Sequence, residues 1–354
     1  MRLVEREVYV AAAALHRVGA LRACQTVWWY PVGGEFRGGA RRDIHVALDE
    51  THFDRAVARR MSSAAIFHGA AGQCRASLAR ARTLGARTVL DVVTLHIDVF
   101  GGELERECAL FGIRPPISRS HQDSMRAEYG AADLIRVISE VAARTFLERG
   151  FVKGRIVVVR PPLMVEHFPE PQFDDARFRV SFVGLLEPWK GFHYLIEAFH
   201  GLARADAELV LWGGPGSRPV SRYLAEHRAR DPRISVRTIE NRAAFLTEAY
   251  GGASVVVLPS LSDGIGLAAV EAMASGVPVI VTDRTGAADL IEDGRNGYIV
   301  PVRDVAALRE RLATLSADPS QRRAMGLAAR DTARQLTLDA FRRCYIPRLE
   351  TLLG

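Results

Sequence analysis

The residues with the most chemical content lie in one run, Pro259-Ser260-Leu261-Ser262-Asp263-Gly264-Ile265-Gly266-Leu267, followed by Glu271 and then by Ser275-Gly276-Val277-Pro278-Val279-Ile280. It reads as an apolar strand, a Gly-x-Gly turn and a helix. At such a junction in a parallel sheet, the first helical N–H groups and the positive end of the helix dipole face the crevice at the strand carboxyl ends, where phosphates bind. The backbone of Gly264, Ile265, Gly266 and Leu267 is therefore the candidate phosphate cradle, and glycines at 264 and 266 are expected to let it approach a bulky anion. An acidic Asp263 just before that cradle would repel a phosphate. It reads either as an acceptor turned towards sugar hydroxyls or as a helix N-cap. Glu271 lies about two helical turns further on and reads either as a bidentate acceptor for ribose hydroxyls or as a helix-face carboxylate. Its neighbours Val270, Ala272 and Met273 are apolar, so a carboxylate there needs a partner.

Other residue types narrow the choice of chemistry. Lysine occurs only at Lys153 and Lys190, so a lysine in the loop Glu187-Pro188-Trp189-Lys190-Gly191 draws notice in a chain whose cations are otherwise arginines. Cys24, Cys74, Cys108 and Cys344 are scattered without metal-ligand or C-x-x-C spacing, which argues against a disulfide framework or a structural zinc and suits a reducing compartment. Acidic residues interrupt the first residues, and no apolar run reaches membrane-spanning length, so the expected location is cytoplasmic. A net charge of +6 favours anionic partners without choosing among sugar nucleotides, phospholipid headgroups and nucleic acid.

These residues need a scaffold, and the 354-residue length with 48% hydrophobic content suggests a chain of two folded units. Residues 8–21 read as an alanine-rich helix and residues 24–30 as a strand ended by Pro31, with a Gly33-Gly34 loop after it. Beyond them strands alternate with helices: a short apolar run at 64–68, a helix at 75–84, a strand at 88–95, a helix ending at 125–129, a strand at 134–139, a helix at 141–149 and a strand at 156–159. Residues 163–177, rich in proline, acidic residues and phenylalanine, are the expected linker. The alternation restarts with strands at 178–183, 208–212, 255–258 and 277–282, and helices at 193–202, around Glu271, and at 303–314, 321–337 and 338–353. That order predicts an α/β fold with parallel sheets.

Taken with their spacing, Asp263-x7-Glu271 followed by Ser275-Gly276-Val277-Pro278-Val279-Ile280, and Val183-Gly184-Leu185-Leu186-Glu187-Pro188-Trp189-Lys190-Gly191, resemble the retaining glycosyltransferases of the GT-B fold, glycosyltransferase family 4 (glycosyltransferase group 1). The resemblance runs on through Gly213-Gly214-Pro215-Gly216 and 286–300, and more thinly through Arg126-x-Glu128-Tyr129 to Ser139 in the first half. The family's paired glutamates appear here as Asp263 and Glu271, and Leu185 stands where the family often has arginine.

The resemblance implies two Rossmann-like doubly wound domains facing a cleft: an acceptor-binding domain over residues 1–165, a donor-binding domain over 175–337, and a C-terminal helix, 338–354, crossing back to the first. Lys190, Asp263 and His96 are the implied catalytic residues, and Gly184, Lys190, Gly213, Gly264, Ile265, Gly266, Leu267 and Glu271 the implied donor-binding set. His96 has a second reading as a structural or exposed histidine, and His68 is a further strand-end candidate. The expected reaction moves a sugar from a nucleoside-diphosphate sugar to an acceptor hydroxyl with retention, in polysaccharide or glycolipid biosynthesis. No metal or other cofactor is expected. The expected partners are a sugar nucleotide, a carbohydrate or glycolipid acceptor and the acidic inner face of a membrane, with no nucleic acid. Two rival readings remain: a catalytically weak homologue acting as a binding or scaffold subunit, and a sugar-nucleotide epimerase.

Overall fold

The structure is a computed structural model that describes residues 50–172, 177–214, 216–238 and 242–354. The helix read over 8–21, the strand over 24–30 and the Gly33-Gly34 loop lie outside the described residues. In chain order the elements are α1 (Glu50–Arg60), β1 (Ile66–Ala70), α2 (Arg75–Thr83), β2 (Arg87–Val92), α3 (Ile97–Leu110), α4 (Arg119–Ala131), β3 (Leu134–Val137), α5 (Glu140–Leu147) and β4 (Ile156–Val158). The second series is β5 (Phe178–Val183), α6 (Phe192–His200), β6 (Ala207–Trp212), α7 (Arg218–Arg230), β7 (Ile234–Arg237), α8 (Arg242–Leu246), β8 (Val255–Leu258), α9 (Leu267–Ala274), β9 (Val279–Thr282), β10 (Tyr298–Val300), α10 (Val305–Ala317), α11 (Pro319–Ala333) and α12 (Leu338–Leu353). The expected α/β alternation is present. Helices α1, α3, α7 and α8 and strands β7 and β10 are additions that the sequence reading passed over.

Each series makes its own sheet, and every strand pairing is parallel: β1-β2-β3-β4 in the first and β10-β9-β8-β5-β6-β7 in the second. Parallel strands are covered on both faces, which explains why β8 and β9 are buried throughout and apolar but for Thr282. In the first sheet the two-residue period separates the faces. Leu90, Val92, Ile135 and Val137 pack with Leu78, Met125, Tyr129 and Phe146. Val89, Leu134, Val157 and Val159 face the other way, and α12, coming from the far end of the chain, lays Phe341, Tyr345 and Leu349 on them.

That seam contains a buried charge pair. Arg136 Nη1 lies 3.0 Å from Asp91 Oδ1, with both side chains almost fully buried, and the guanidinium sits over the rings of Phe341 and Tyr345. His68 Nε2 is 2.9 Å from the other Asp91 oxygen. Burial pushes the Asp91 carboxyl up, but Arg136 and His68 outweigh it and hold the group at about 2. A second charge cluster joins the two series directly. Glu107 on α3 is buried between Arg303 Nη2 at 2.6 Å and His193 Nε2 at 3.1 Å. Among the described residues no helix is long and apolar enough to cross a membrane.

Removing one member of a buried pair leaves an uncompensated charge. Arg136→Met should therefore lower the unfolding free energy by about 3–5 kcal/mol, read as a fall in the urea midpoint. The double variant Asp91→Leu with Arg136→Met should regain much of that loss. A single variant as stable as the parent would remove the pair from any account of the seam.

Candidate functional site

Chain order reverses in the second sheet between β5 and β8: the chain runs outward from β5 through β6 to β7, then returns to β8 on the other side. Loops leaving β5 and β8 must part company there, and the crevice between them is where open parallel sheets bind ligands. Both candidate motifs fall on it. The loop after β5 carries Lys190 and ends at Gly191, whose left-handed backbone (φ 71°) opens α6. A Cβ on Gly191 would overlap the Pro259 carbonyl oxygen, so a glycine is required for the two loops to pack directly. The Leu261 N–H donates to the Trp189 carbonyl at 2.9 Å, a further tie between them.

Across that junction Lys190 Nζ donates to Asp263 Oδ2 at 2.5 Å, each side chain 14% exposed. The other Asp263 oxygen accepts the Gly266 N–H at 2.9 Å, and the Ser260 hydroxyl lies 3.4 Å from Oδ2. Asp263 thus stabilises the turn as a cap would, although Gly266 takes the N-cap position, and its second oxygen is paired with the Lys190 ammonium. Gly266, left-handed at φ 69°, is the N-cap of α9, and its carbonyl takes the Ala269 and Val270 N–H groups. The N–H groups of Leu267 and Ala268 lie in the first turn, where no helical carbonyl can reach them. Ile265 and Leu267 are buried, so neither projects its side chain into open space. Glu271 is 8% exposed, and Tyr250 donates its hydroxyl to Glu271 Oε2 at 2.8 Å, which is the partner its apolar surroundings required.

The glycines correct one expectation. Space beside Gly264 and Gly266 was assigned to an incoming anion, but protein fills it. A Cβ on Gly264 would overlap the Val93 carbonyl of the N-terminal series, and one on Gly266 would press on Thr285 and Leu258. Likewise, a Cβ on Gly213 would overlap the Gly184 carbonyl, so a glycine at 213 lets the ends of β6 and β5 approach. Leu185 is 60% exposed.

His96 stands at the strand end, just beyond Val93, but its ring turns inward. Its Nδ1 accepts the Asp98 N–H at 3.2 Å, capping α3, and the ring packs on Tyr129, Phe146 and Phe151. Burial drives the imidazole down to about 4, with the Asp98 carboxylate opposing and Arg149 and Arg126 adding to the shift. His68 belongs to the Asp91 seam under α12 and lies 3.2 Å from the Tyr345 hydroxyl. Three features escaped the sequence reading. Tyr250 beside Glu271 carried no signal. Ser139 was read as a strand end, although a serine opening a helix is an N-cap signature. At the ends of β6 and β7 a cavity of about 400 Å³ is lined by Trp212, Val236, Arg237, Thr238, Ala244, Phe245 and Glu248. The ring of Phe245 lies 5.8 Å from that of Trp212 and 5.6 Å from that of Tyr250, linking the cavity to Glu271.

Residues 165–332 match the family described as "Glycosyl transferases group 1". D-inositol 3-phosphate glycosyltransferase from Corynebacterium glutamicum (strain R) is 34% identical over 164 residues, covering 44% of this chain and 39% of that protein. The protein of the same name from Corynebacterium urealyticum is 30% identical over 234 residues, covering 60% of this chain and 54% of its own length. The chain thus spans about half the length of these curated relatives, or less. Among solved structures, Anabaena Alr3699/HepE in complex with UDP-glucose superposes with a TM-score of 0.66 at 18% identity, covering 86% of this chain and 81% of that one. The fold is that of the GT-B glycosyltransferases, two α/β units with parallel sheets.

The environment of His96 gives a direct test. Its imidazole should titrate near 4 by NMR, well below the usual 6.5. Above pH 6.5 the ring is neutral whether folded or unfolded; as pH falls from 6.5 towards 4 the unfolded chain takes up a proton that the folded chain refuses. The His96 contribution to stability is therefore present above that window and lost within it, and His96→Asn, which can keep the cap, should flatten that part of the stability profile. Titration near the usual value would mean a solvated ring.

Proposed function

We propose that this chain, which carries a glycosyl transferases group 1 domain over residues 165–332, transfers a sugar from a nucleoside-diphosphate sugar to an acceptor hydroxyl with retention of anomeric configuration. The observation that carries the reading is the Lys190–Asp263 pair set across the β5/β8 reversal, beside the first turn of α9. An arriving diphosphate would compete with Asp263 for the Lys190 ammonium, leaving the Asp263 carboxylate to accept from sugar hydroxyls. The α9 amides and the helix dipole add fixed positive potential where the leaving group gathers charge.

In the proposed reaction the bond between the anomeric carbon and the diphosphate oxygen breaks, and its electron pair stays on the phosphate. The acceptor oxygen forms the new bond at the same carbon and on the same face, and its proton passes to the departing phosphate. Lys190 and the backbone from Gly264 to Leu267 stabilise the charge that builds up, so no step needs a metal. Glu271, whose Oε2 accepts the Tyr250 hydroxyl, takes the ribose hydroxyls. The cavity at Trp212 and Phe245 suits the base: its volume of about 400 Å³ falls in the range of small-ligand pockets, and the buried Trp212 indole N–H has no acceptor among the described residues.

Alr3699/HepE was solved with UDP-glucose, which makes a uridine diphosphate sugar the first donor to try. The relatives named D-inositol 3-phosphate glycosyltransferase make a phosphorylated cyclic polyol a sensible acceptor to set beside a sugar or glycolipid. In this reading the site lies on the cytoplasmic side, and the net charge of +6 suits peripheral contact with an acidic membrane.

The test is a panel of UDP-, GDP- and ADP-sugars, scored by thermal shift and by release of nucleoside diphosphate. Lys190→Ala should leave donor binding measurable and slow release by roughly 100- to 1,000-fold, the effect of removing one preorganised group from a charge-stabilising site. Glu271→Ala should instead weaken donor binding by roughly 10- to 100-fold, as expected for a lost charge-assisted hydrogen bond. Binding without release, in the parent and in both variants, would favour a scaffold protein. No shift with any donor would sink the reading.

A further inference from the structure

The N-terminal series touches the candidate cradle where Ser139, Val93 and Ile138 meet Gly264. Ser139, fully buried at the end of β3, accepts the Ala142 N–H at 3.0 Å and so caps α5. The same hydroxyl donates to the Gly264 carbonyl of the opposite series at 2.6 Å. Beside them, a Cβ on Gly286 would overlap both the Gly264 carbonyl and the Ser139 side chain, and one on Gly264 would overlap the Val93 carbonyl and crowd Ile138. The contact continues outward: the Asp289 carboxylate accepts the Glu140 N–H and lies 3.6 Å from Arg160.

A trans peptide holds its C=O and the following N–H in one plane, pointing in opposite directions. Anchoring the Gly264 carbonyl on Ser139 therefore fixes the Ile265 N–H to point away from Ser139. That amide is part of the proposed cradle. We propose that Ser139 is a positioning residue through which closure of the N-terminal half sets the direction of a cradle amide, and that Gly264 and Gly286 are glycines so that this closing contact can form. What the loop holds rests on the transferase reading above; the latch itself does not.

A hydrogen bond of 2.6 Å between two halves exists only when they are together, so the latch should report closure and tune the chemical step more than donor capture. Of the nucleotide contacts proposed above, only the Ile265 amide depends on Ser139; those to the base and the ribose lie on the C-terminal series and need no help from it.

The experiment uses the full chain and three variants. Ser139→Ala removes the bond to Gly264 and also the α5 cap; Gly286→Ala keeps the cap and wedges the contact apart; Ser139→Thr keeps the hydroxyl. Each is measured by small-angle scattering without ligand, by affinity for UDP, GDP and ADP, and by kcat and KM for release of diphosphate from the corresponding sugar nucleotides. Expected are a larger radius of gyration for Ser139→Ala and Gly286→Ala and a kcat lowered roughly 10- to 100-fold, with KM for the donor and the diphosphate affinity within about threefold of the parent. Ser139→Thr should return both readouts towards the parent. Unchanged scattering and kcat in Gly286→Ala would overturn the proposal, as would equal losses of affinity and rate with unchanged scattering. If the parent neither binds nor cleaves any donor, the transferase reading falls, while the scattering comparison still decides the latch.

Discussion

A lysine and a carboxylate 2.5 Å apart, on loops from strands that are neighbours in the sheet but distant in the chain, organise the C-terminal half. Without that tie the reversal between β5 and β8 would be only an opening between two diverging loops. Asp263 works on both sides of it, restraining Lys190 with one oxygen and the Gly266 amide with the other. A partly exposed pair of this kind adds little to stability, because solvent screens it and two side chains are ordered to make it. Its consequence is positional: the cation is held beside the helix terminus, in the one sector of the sheet where parallel topology leaves a crevice.

The two halves are held together chiefly away from that crevice. Glu107 is enclosed by Arg303, His193 and Tyr194 from the other series. Burial raises its carboxyl, and the hydrogen bonds from His193 and Arg303 bring it below the usual range, so the charge stays and the contact stays electrostatic. Arg303 reaches it from a left-handed backbone at φ 65°, a conformation uncommon for a residue with a side chain. At the opposite end, α12 returns to the first sheet over the Asp91–Arg136 pair. Between these two attachments the walls meet directly where Ser139 and Val93 approach Gly264 and where Glu140 and Arg160 meet Asp289.

Glycine has one physical role at several places here. At Gly191, Gly213, Gly264 and Gly286 the absent Cβ makes room for a backbone carbonyl of another segment. These close approaches stack the ends of β5, β6 and β8 and the β2 and β3 loops of the other half into one small volume. A site assembled in this way depends on backbone spacing, which side-chain substitution elsewhere can change only indirectly.

Local sequence determined most of the elements and the local geometry around the candidate site. Period-two apolar runs, Gly-x-Gly before a helix, and a lysine in a turn are properties of consecutive residues, so the strand–turn–helix around Asp263 and Glu271 and the Lys190 loop could be read directly. Tertiary structure alone decided which side chains meet. The Lys190–Asp263 bond joins positions 73 residues apart and the Ser139–Gly264 bond positions 125 apart, separations at which no local period carries information. The same limit explains His96, whose strand-end position was legible but whose ring was turned inward by Tyr129, Phe146 and Phe151. It also explains the glycines: a sequence records that a Cβ is missing, and only the packed chain decides whether the space left belongs to a ligand or to another strand.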